Sequence, residues 1–277
     1  MNSFAQHKIQ IDQLYSEMSQ PNFSLTKAGS ECLGEIISAL DQGKLRLLTR
    51  DQSSNFVHHE WLKKAILLYF KTQKLNFLNA GDFNFYDKVP VKKWTGQEGV
   101  RIVPPAFARY GSYVAKSCIL MPSFINIGAF VDEGTMIDTW ATVGSCAFVG
   151  KNVHISGGVG IGGVLEPLQA TPVIIEDDCF IGSRCILVEG VHIEAGAVIA
   201  AGVSITGSTK IIDVSGPKPI TMTGHIPAGS VVIPGSMPKE FAAGTYGVNC
   251  ALIIGQRKAS TDKKTSLNNT LREFNIS

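Results

Sequence analysis

Residues 107–163 read FARYGS YVAKSC ILMPSF INIGAF VDEGTM IDTWAT VGSCAF VGKNVH ISGGVG IGG, and the pattern repeats every six residues. An apolar residue opens each unit, and the fifth residue of each unit is mostly small. The opening residues are Phe107, Tyr113, Ile119, Ile125, Val131, Ile137, Val143, Val149, Ile155 and Ile161. Side chains alternate across a strand, so the fifth and first positions are predicted to point inward and the sixth and second outward.

The two remaining positions of each unit are left to form a turn. Three such strands and turns close a triangular coil, in which residues 18 apart stack at the strand spacing of roughly 4.8 Å. Each coil buries its apolar face only against its neighbours. The sequence therefore predicts a mainly β protein built around a parallel β-solenoid.

Composition excludes several classes of protein. The chain has 277 residues, of which 44% are hydrophobic and 17% charged, with a formal net charge of +2. This balance gives no basic field for nucleic acid, and the low charge fits a surface reduced by self-association. Residues 1–20 contain no continuous apolar stretch, so neither a signal peptide nor a membrane span is expected. A cytoplasmic enzyme is the default expectation.

The six cysteines show no Cys-x-x-Cys spacing. Cys179 and Cys185 both occupy the inward fifth position of successive units. We interpret the cysteines as small buried hydrophobic residues rather than as redox centres or metal ligands.

Three regions are expected along the chain. Residues 1–100 lack the repeat and predict helices over Ile9–Met18, Lys27–Leu40 and His59–Lys71, with a short hairpin before the third helix. This mostly helical domain is expected to cover the exposed edge of the first coil. Residues 101–235 carry the solenoid, and residues 236–277 predict terminal strands and a polar tail.

The repeat is interrupted twice. After Ile161 it resumes only at Ile175, and Pro167 and Pro172 lie in the gap, so a loop is expected to leave the coil near residues 162–174. Insertions of this kind often lie on the binding face of a solenoid. A second interruption at 213–225 precedes two last units at Ile226 and Val232.

The register also aligns outward polar residues. Asp138 is expected to stack beneath Ser156, with His154 diagonal to Asp138 at about 8 Å, from one strand spacing and two residues of rise. A carboxylate, a hydroxyl and an imidazole then share one face. Asp132 has a simpler interpretation, because short acids near turns often bond to their own backbone. His154 is also compatible with a packed structural role.

Three histidines, His154, His192 and His225, raise the alternative of a zinc site like that of γ-carbonic anhydrases. The spacing argues against it, since Val159 stands five residues beyond His154, where a second ligand would be needed. The glycines of 157–163 lack the Gly-Lys-Ser/Thr of a phosphate loop, and tight turns explain them.

Several long runs closely resemble bacterial tetrahydrodipicolinate N-succinyltransferases. They are RIVPP at 101–105, MPS at 121–123, VDEGTMIDTWATVGS at 131–145, GGVGIGGVLEPLQA at 157–170, WLKKA at 61–65 and YDKVP at 86–90. The resemblance implies a left-handed parallel β-helix, a homotrimer and transfer of succinyl from succinyl-CoA in the diaminopimelate route to lysine. It also implies that Arg101 and Asp138 bind the dicarboxylate substrate, and that no cofactor is permanently bound.

The residue types suit these roles. Arg101 presents a planar fork that can bind a carboxylate bidentately. Asp138 can hold the acceptor's ammonium group and then take its proton as nitrogen attacks the thioester, with His154 as a candidate assisting base. Where the family carries a second acid this chain has Ile186, so Asp138 acts alone, His154 assists, or the second acid is not essential.

Asp138 and Ile186 are expected on different faces of the triangle, which favours active sites between subunits, covered by the loop near 162–174. Arg257 and Lys258 are candidates for the CoA phosphates, although a basic pair near a C-terminus is usually a solvated surface. Two alternatives stay open: a related N-acetyltransferase that uses acetyl-CoA, and a non-catalytic hexapeptide scaffold.

Overall fold

The computed structural model of the chain describes residues 4–257, and three helices come first. They are α1 (Ala5–Glu17), α2 (Lys27–Asp41) and α3 (Glu60–Thr72). The predicted helices are confirmed, with α1 beginning four residues earlier than expected. Thr26 caps α2, since its hydroxyl oxygen accepts a hydrogen bond from the Gly29 amide at 3.1 Å. None of the helices described is long and apolar enough to cross a bilayer.

Two hairpins accompany the helices. Leu48–Arg50 pairs antiparallel with Phe56–His58, as the sequence predicts. Asn76–Ala80 pairs antiparallel with Phe83–Asp87, and this second hairpin was not predicted.

The rest of the described chain builds three sheets of short parallel strands, and sheet 1 is extended at one end by antiparallel pairs. Sheet 1 contains, in spatial order, Arg101–Ile102, Ile119–Leu120, Met136–Ile137, His154–Ile155, Phe180–Ile181, Val198–Ile199, Ser230–Phe241, Gly244–Gln256, Lys210–Asp213 and Ile220–Thr223. Sheet 2 contains Phe107–Ala108, Phe124–Ile125, Thr142–Val143, Gly160–Ile161, Ile186–Leu187 and Ser204–Ile205. Sheet 3 contains Tyr113–Val114, Phe130–Val131, Phe148–Val149, Ile174–Ile175, His192–Ile193 and His225–Ile226.

The predicted spacing of 18 residues between stacked strands is confirmed in the central coils. Val131 pairs with Val149, Ile137 with Ile155 and Val143 with Ile161. These side chains are fully buried or nearly so, and they join one apolar cluster that runs through the middle of the coil. Residues adjacent to them along the chain therefore face outward, as the period of two requires.

The first coil departs from the predicted register by one residue. Ile125 pairs with Ala108, Val131 with Val114 and Ile137 with Leu120, so the spacing is 17 residues. The inward residues are Ala108, Val114 and Leu120, at 1%, 4% and 1% exposure. The expectation that Phe107, Tyr113 and Ile119 point inward was wrong.

The physical reason is that the two aromatic residues pack outside the coil. The Phe107 ring lies 5.3 Å from that of Phe85 on the second hairpin, and the Tyr113 ring lies 4.9 Å from that of Phe130 on the next strand of sheet 3. The turn from Leu120 to Ile125 is one residue shorter than the others, which restores the predicted frame above it.

The turns repeat with the same period. The fourth position of successive units has positive φ at Gly128, Gly134, Trp140, Cys146 and Asn152. Glycine and asparagine suit this left-handed conformation, whereas a bulky residue there is unusual. Trp140, with φ of 60°, is held in place by its amide, which donates to the Pro122 carbonyl at 2.6 Å.

The N-terminal region packs along the side of the coil. Ile127 and Cys146, both at turns of the coil, belong to the same buried cluster as the helices. An extended segment covers part of the edge of the first coil, since the Lys92 amide donates to the Ala108 carbonyl at 2.7 Å. The end of α2 also reaches this coil, where Asp41 accepts a hydrogen bond from the Gly111 amide at 2.9 Å.

The two interruptions have different structures. Gly163 leaves the coil so close to Gly144 that a β-carbon added at Gly144 would lie 2.1 Å from the Gly163 nitrogen. The second interruption forms the pair Lys210–Asp213 and Ile220–Thr223. The long hairpin Ser230–Phe241 with Gly244–Gln256 follows it, and the expected boundary at 235 falls inside its first strand.

The register of the first coil predicts different costs for two adjacent substitutions. Leu120→Ala should lower the free energy of unfolding by about 2–5 kcal/mol, because it empties a buried site. Ile119→Ala should cost about 1 kcal/mol or less, because that side chain is partly solvated. Chemical denaturation of both variants measures the difference, and a larger loss for Ile119→Ala would contradict the observed register.

Candidate functional site

Sheet 1 carries the polar residues that the sequence places together. Met136 pairs with His154, and His154 pairs with Phe180, so the three predicted coils stack as expected. One residue beyond the inward isoleucines, the Asp138 amide donates to the Ile155 carbonyl and the Ser156 amide to the Ile181 carbonyl, each at 2.9 Å. Asp138 and Ser156 are therefore neighbours, and His154 is diagonal to Asp138.

Asp138 is half-buried at the corner where sheet 1 turns towards sheet 2. Its Oδ1 accepts hydrogen bonds from the Thr139 amide at 2.6 Å and from the Thr139 hydroxyl at 3.1 Å. Both hydrogen bonds end on Oδ1, so Thr139 orients the carboxylate. Neither of these two bonds uses Oδ2. A carboxylate fixed in this way is suited to bind an amine without reorganising.

His154 presents its ring on the same outer face. The imidazole stacks on the Phe180 ring, with centroids 5.1 Å apart and planes inclined by 7°. Stacking limits rotation of the ring, which suits either a positioned base or a packed structural side chain. Ser156 is only 6% exposed, so the hydroxyl predicted beside Asp138 is largely covered.

Arg101 lies on the same face two strands below Met136, because it pairs with Ile119. Two strand spacings and two residues of rise put the α-carbons of Arg101 and Asp138 about 12 Å apart. Arg101 is exposed. An extended arginine side chain and a small dicarboxylate can together span this separation.

Ile186 lies on sheet 2, stacked directly above Gly160. The predicted separation of Asp138 and Ile186 onto different faces is confirmed. Ile186 is 41% exposed, and Phe124, in the same column of that sheet, is 37% exposed. Trp140, 70% exposed, stands at the corner between the two sheets and two residues from Asp138. Sequence reasoning missed Trp140, although a tryptophan at the turn position of a hexad was a visible signal.

Arg257 is bound to the coil itself. Its guanidinium donates to the Asp178 carbonyl at 2.9 Å and to the Gly196 carbonyl at 3.4 Å. Both carbonyls belong to turns that lead into sheet 1. Lys258, the second residue predicted to contact CoA phosphates, lies outside the described residues.

The histidines considered for a metal site do not converge. His192 and His225 are paired neighbours on sheet 3, whereas His154 is on sheet 1. Each sheet 3 histidine contacts a carboxylate, Glu176 at 2.7 Å from His192 and Glu194 at 2.8 Å from His225. Asp132 accepts from the Glu133 amide at 2.9 Å, as its simpler interpretation expects.

All six cysteines are buried as free thiols. Burial raises the pKa of Cys118 and Cys185 to about 11 and that of Cys146 and Cys179 to about 12. Burial also raises the pKa of Cys32 and Cys250. At neutral pH these groups stay protonated and enclosed, so they are poor nucleophiles.

The known proteins to which this chain is similar are named as one kind of enzyme. Residues 6–72 match the family model described as tetrahydrodipicolinate N-succinyltransferase N-terminal, and residues 172–207 match that of the hexapeptide repeat of succinyl-transferase. A 2,3,4,5-tetrahydropyridine-2,6-dicarboxylate N-succinyltransferase of Delftia acidovorans is 54% identical over 89% of this chain and 91% of its own. A protein of the same name from Acinetobacter baylyi is 54% identical over 87% of this chain and 89% of its own.

A solved structure of a putative 2,3,4,5-tetrahydropyridine-2-carboxylate N-succinyltransferase from Campylobacter jejuni is also similar, at 16% identity and a TM-score of 0.47. The match covers 81% of this chain and 62% of that one.

Burial of the thiols predicts that a thiol reagent such as Ellman's reagent will modify less than one cysteine per native chain at pH 8 within minutes. Because the pKa of every cysteine is raised, few thiolates form, and the reagent has little access. Full reaction is expected only in denaturant. Rapid modification of one native cysteine would contradict the buried arrangement and reopen covalent catalysis.

Proposed function

The chain belongs to the 2,3,4,5-tetrahydropyridine-2,6-dicarboxylate N-succinyltransferase family, and on this premise we propose that it transfers succinyl from succinyl-CoA to the amine of ring-opened tetrahydrodipicolinate. This reaction lies in the diaminopimelate route to lysine. The observation that carries the proposal is the presence of Arg101 and Asp138 on one face of sheet 1, separated by about the reach of an arginine side chain and a small dicarboxylate.

Binding of the acceptor uses two opposite charges. Arg101 pairs with one carboxylate of the acceptor through its planar guanidinium. The Asp138 carboxylate, oriented by Thr139, binds the amine through Oδ2. These contacts align the nitrogen for attack and exclude acceptors that lack a carboxylate and an amine at the right separation.

Transfer is direct. As the amine nitrogen attacks the thioester carbonyl, a C–N bond forms, the nitrogen loses a proton to Asp138, and the C–S bond then breaks to release CoA, whose thiolate takes up a proton. Backbone N–H groups of the coil are proposed to stabilise the oxyanion. The buried, protonated cysteines favour direct transfer over an acyl-enzyme.

His154 is considered as a second base because Ile186 stands where an acid was expected. In the family a second acid stands at the position of Ile186, and this chain has an exposed apolar side chain there. His154 is the nearest alternative base on the face of Asp138, and its stacked ring is well positioned. Our proposal is that Asp138 is the principal base and His154 assists.

We propose a homotrimer of left-handed β-helices, with active sites between subunits. The exposed side chains of Phe124, Trp140 and Ile186 form an apolar surface on and beside sheet 2 that a neighbouring subunit would cover. Facing sheets 1 and 2 of two subunits would then enclose Asp138, with the loop at 162–174 over the cleft. We retain the division near residue 100 and a cytoplasmic location.

For CoA we propose that the pantetheine arm lies along the coil stack. Arg257 remains a candidate for the phosphates, although its bonds to Asp178 and Gly196 already engage part of the guanidinium. The proposal includes no permanently bound cofactor, because the CoA thioester supplies the activated acyl group. The dicarboxylate amine and CoA are the only small-molecule partners it needs.

Thiol release distinguishes the donors. With a cyclic tetrahydrodipicolinate analogue as acceptor, release from succinyl-CoA should exceed release from acetyl-CoA at equal concentrations. Preference for acetyl-CoA would favour the related N-acetyltransferase. Without acceptor-dependent release from either donor, the enzyme proposal fails and the scaffold alternative stands.

Substitution of the two proposed bases separates their roles. Asp138→Asn should lower kcat by about 100-fold or more while the oligomer persists, because a positioned base contributes 10²-fold or more. His154→Gln, on the same face, should lower kcat less and shift the acidic limb of the pH–rate profile.

Steady-state kinetics over pH 5–9 and light scattering measure both effects. Asp138→Asn activity within about threefold of wild type, under 1 kcal/mol of barrier, would reject its catalytic role. A pH profile unchanged by His154→Gln would leave His154 as a packed side chain on Phe180.

A further inference from the structure

Lys63, on α3, is fully buried, at 0% exposure. Burial lowers the pKa of Lys63, since an ammonium group loses its hydration there. A buried ammonium persists only where polar groups replace the lost water. The groups around its Nζ atom therefore indicate what this lysine does.

The partners of Lys63 are main-chain carbonyls of the loop that leaves the coil. Nζ donates to the Ala170 carbonyl at 2.5 Å and to the Leu168 carbonyl at 3.3 Å. Among residues 4–257, no carboxylate lies within the 4.0 Å of an ion pair with this Nζ. The loop carbonyls therefore supply the hydrogen-bond partners of this charge, and the Glu60 carboxylate attracts it from farther away.

The next residue on α3 behaves differently. Lys64 pairs with Asp12 of α1 at 2.6 Å and is partly exposed. Its contacts hold two helices together and do not reach the loop. The two successive lysines therefore have different roles: Lys64 joins α3 to α1, and Lys63 anchors the loop.

The loop has further supports near its start. The Val164 amide donates to the Ser145 carbonyl at 3.1 Å, and Leu165 packs against the helical cluster. Further along, the Ala170 amide bonds locally to the Pro167 carbonyl at 3.1 Å. The contact from Lys63 is what connects the far part of the loop, at Leu168 and Ala170, to the helices.

We propose that Lys63 is a positioning residue that fixes the loop at 162–174 over the acyl-transfer cleft, so that the loop retains the acyl-CoA substrate. This inference rests on the proposed function for the cleft, but the anchoring itself does not. Because Lys63 bonds to carbonyls, it sets the path of the loop backbone without contacting substrate. Closing loops of this kind keep bound substrate from escaping during turnover.

Hydrogen exchange tests the anchoring. Lys63→Met keeps the volume of the side chain and removes its donors, so the amides of residues 164–166 and 168–171 should exchange about tenfold faster or more. Lys64→Met, the matched control on the same helix, should leave these amides within about twofold of wild type. In the wild type, added succinyl-CoA should slow exchange in the same segment.

Kinetics test the connection to the cleft. The KM of the Lys63→Met enzyme for succinyl-CoA should rise about fivefold or more, because a loosened loop lets the donor escape. Its kcat should stay within about threefold of wild type, because Lys63 takes no part in the chemistry. Lys64→Met should show neither change. Light scattering and thermal unfolding establish that both variants are folded.

Each result has a defined meaning. Wild-type exchange in folded Lys63→Met would overturn the anchoring, and faster exchange with an unchanged KM would overturn the position over the cleft. If the wild type transfers no acyl group from either donor, the proposed function fails, while exchange still decides the anchoring. If Lys63→Met does not fold, Lys63→Leu, which also lacks donors, replaces it, and wild-type exchange in that variant would overturn the proposal.

Discussion

Burial of one aliphatic side chain at every sixth residue is the constraint on which the rest of the molecule depends. Ile137, Val143 and Val149 point into the same narrow core, and each pairs with a strand residue one coil above. Because the backbone pairs along that core, the residue after each buried side chain must face outward. The register that buries Ile137 thus also presents Asp138, and a slip of one residue would exchange their positions.

The sequence pattern predicted this central register, the helices and the face shared by Asp138 and His154. It failed in the first coil, where Tyr113 is followed by Val114 and Ile119 by Leu120, so apolar periodicity alone cannot decide which member of each pair is inside. In the structure the tyrosine lies outside the coil, where its ring packs against that of Phe130. The second hairpin was missed because its aromatic residues contact the coil rather than a core of their own.

The candidate site shows a similar division. Asp138 was found because its exposure follows from the repeat, and Arg101 because a family resemblance named it; the pairing with Ile119 then put both on sheet 1. Lys63 was not found, because a lysine in a helix normally predicts a solvated face, and only the folded loop supplies its carbonyl partners. The register placed Ile186 away from Asp138, but the apolar surface that Ile186 forms with Phe124 and Trp140 was not predicted, because the sequence does not show which outward side chains stay uncovered.

The most direct test of the central claim is a crystal structure of the protein with a tetrahydrodipicolinate analogue and CoA. One carboxylate of the analogue is expected to contact the Arg101 guanidinium, and its amine, or the group replacing it, is expected within hydrogen-bond distance of the Asp138 carboxylate. An analogue bound elsewhere, in contact with neither residue, would contradict the claim that the coil register forms the acceptor site.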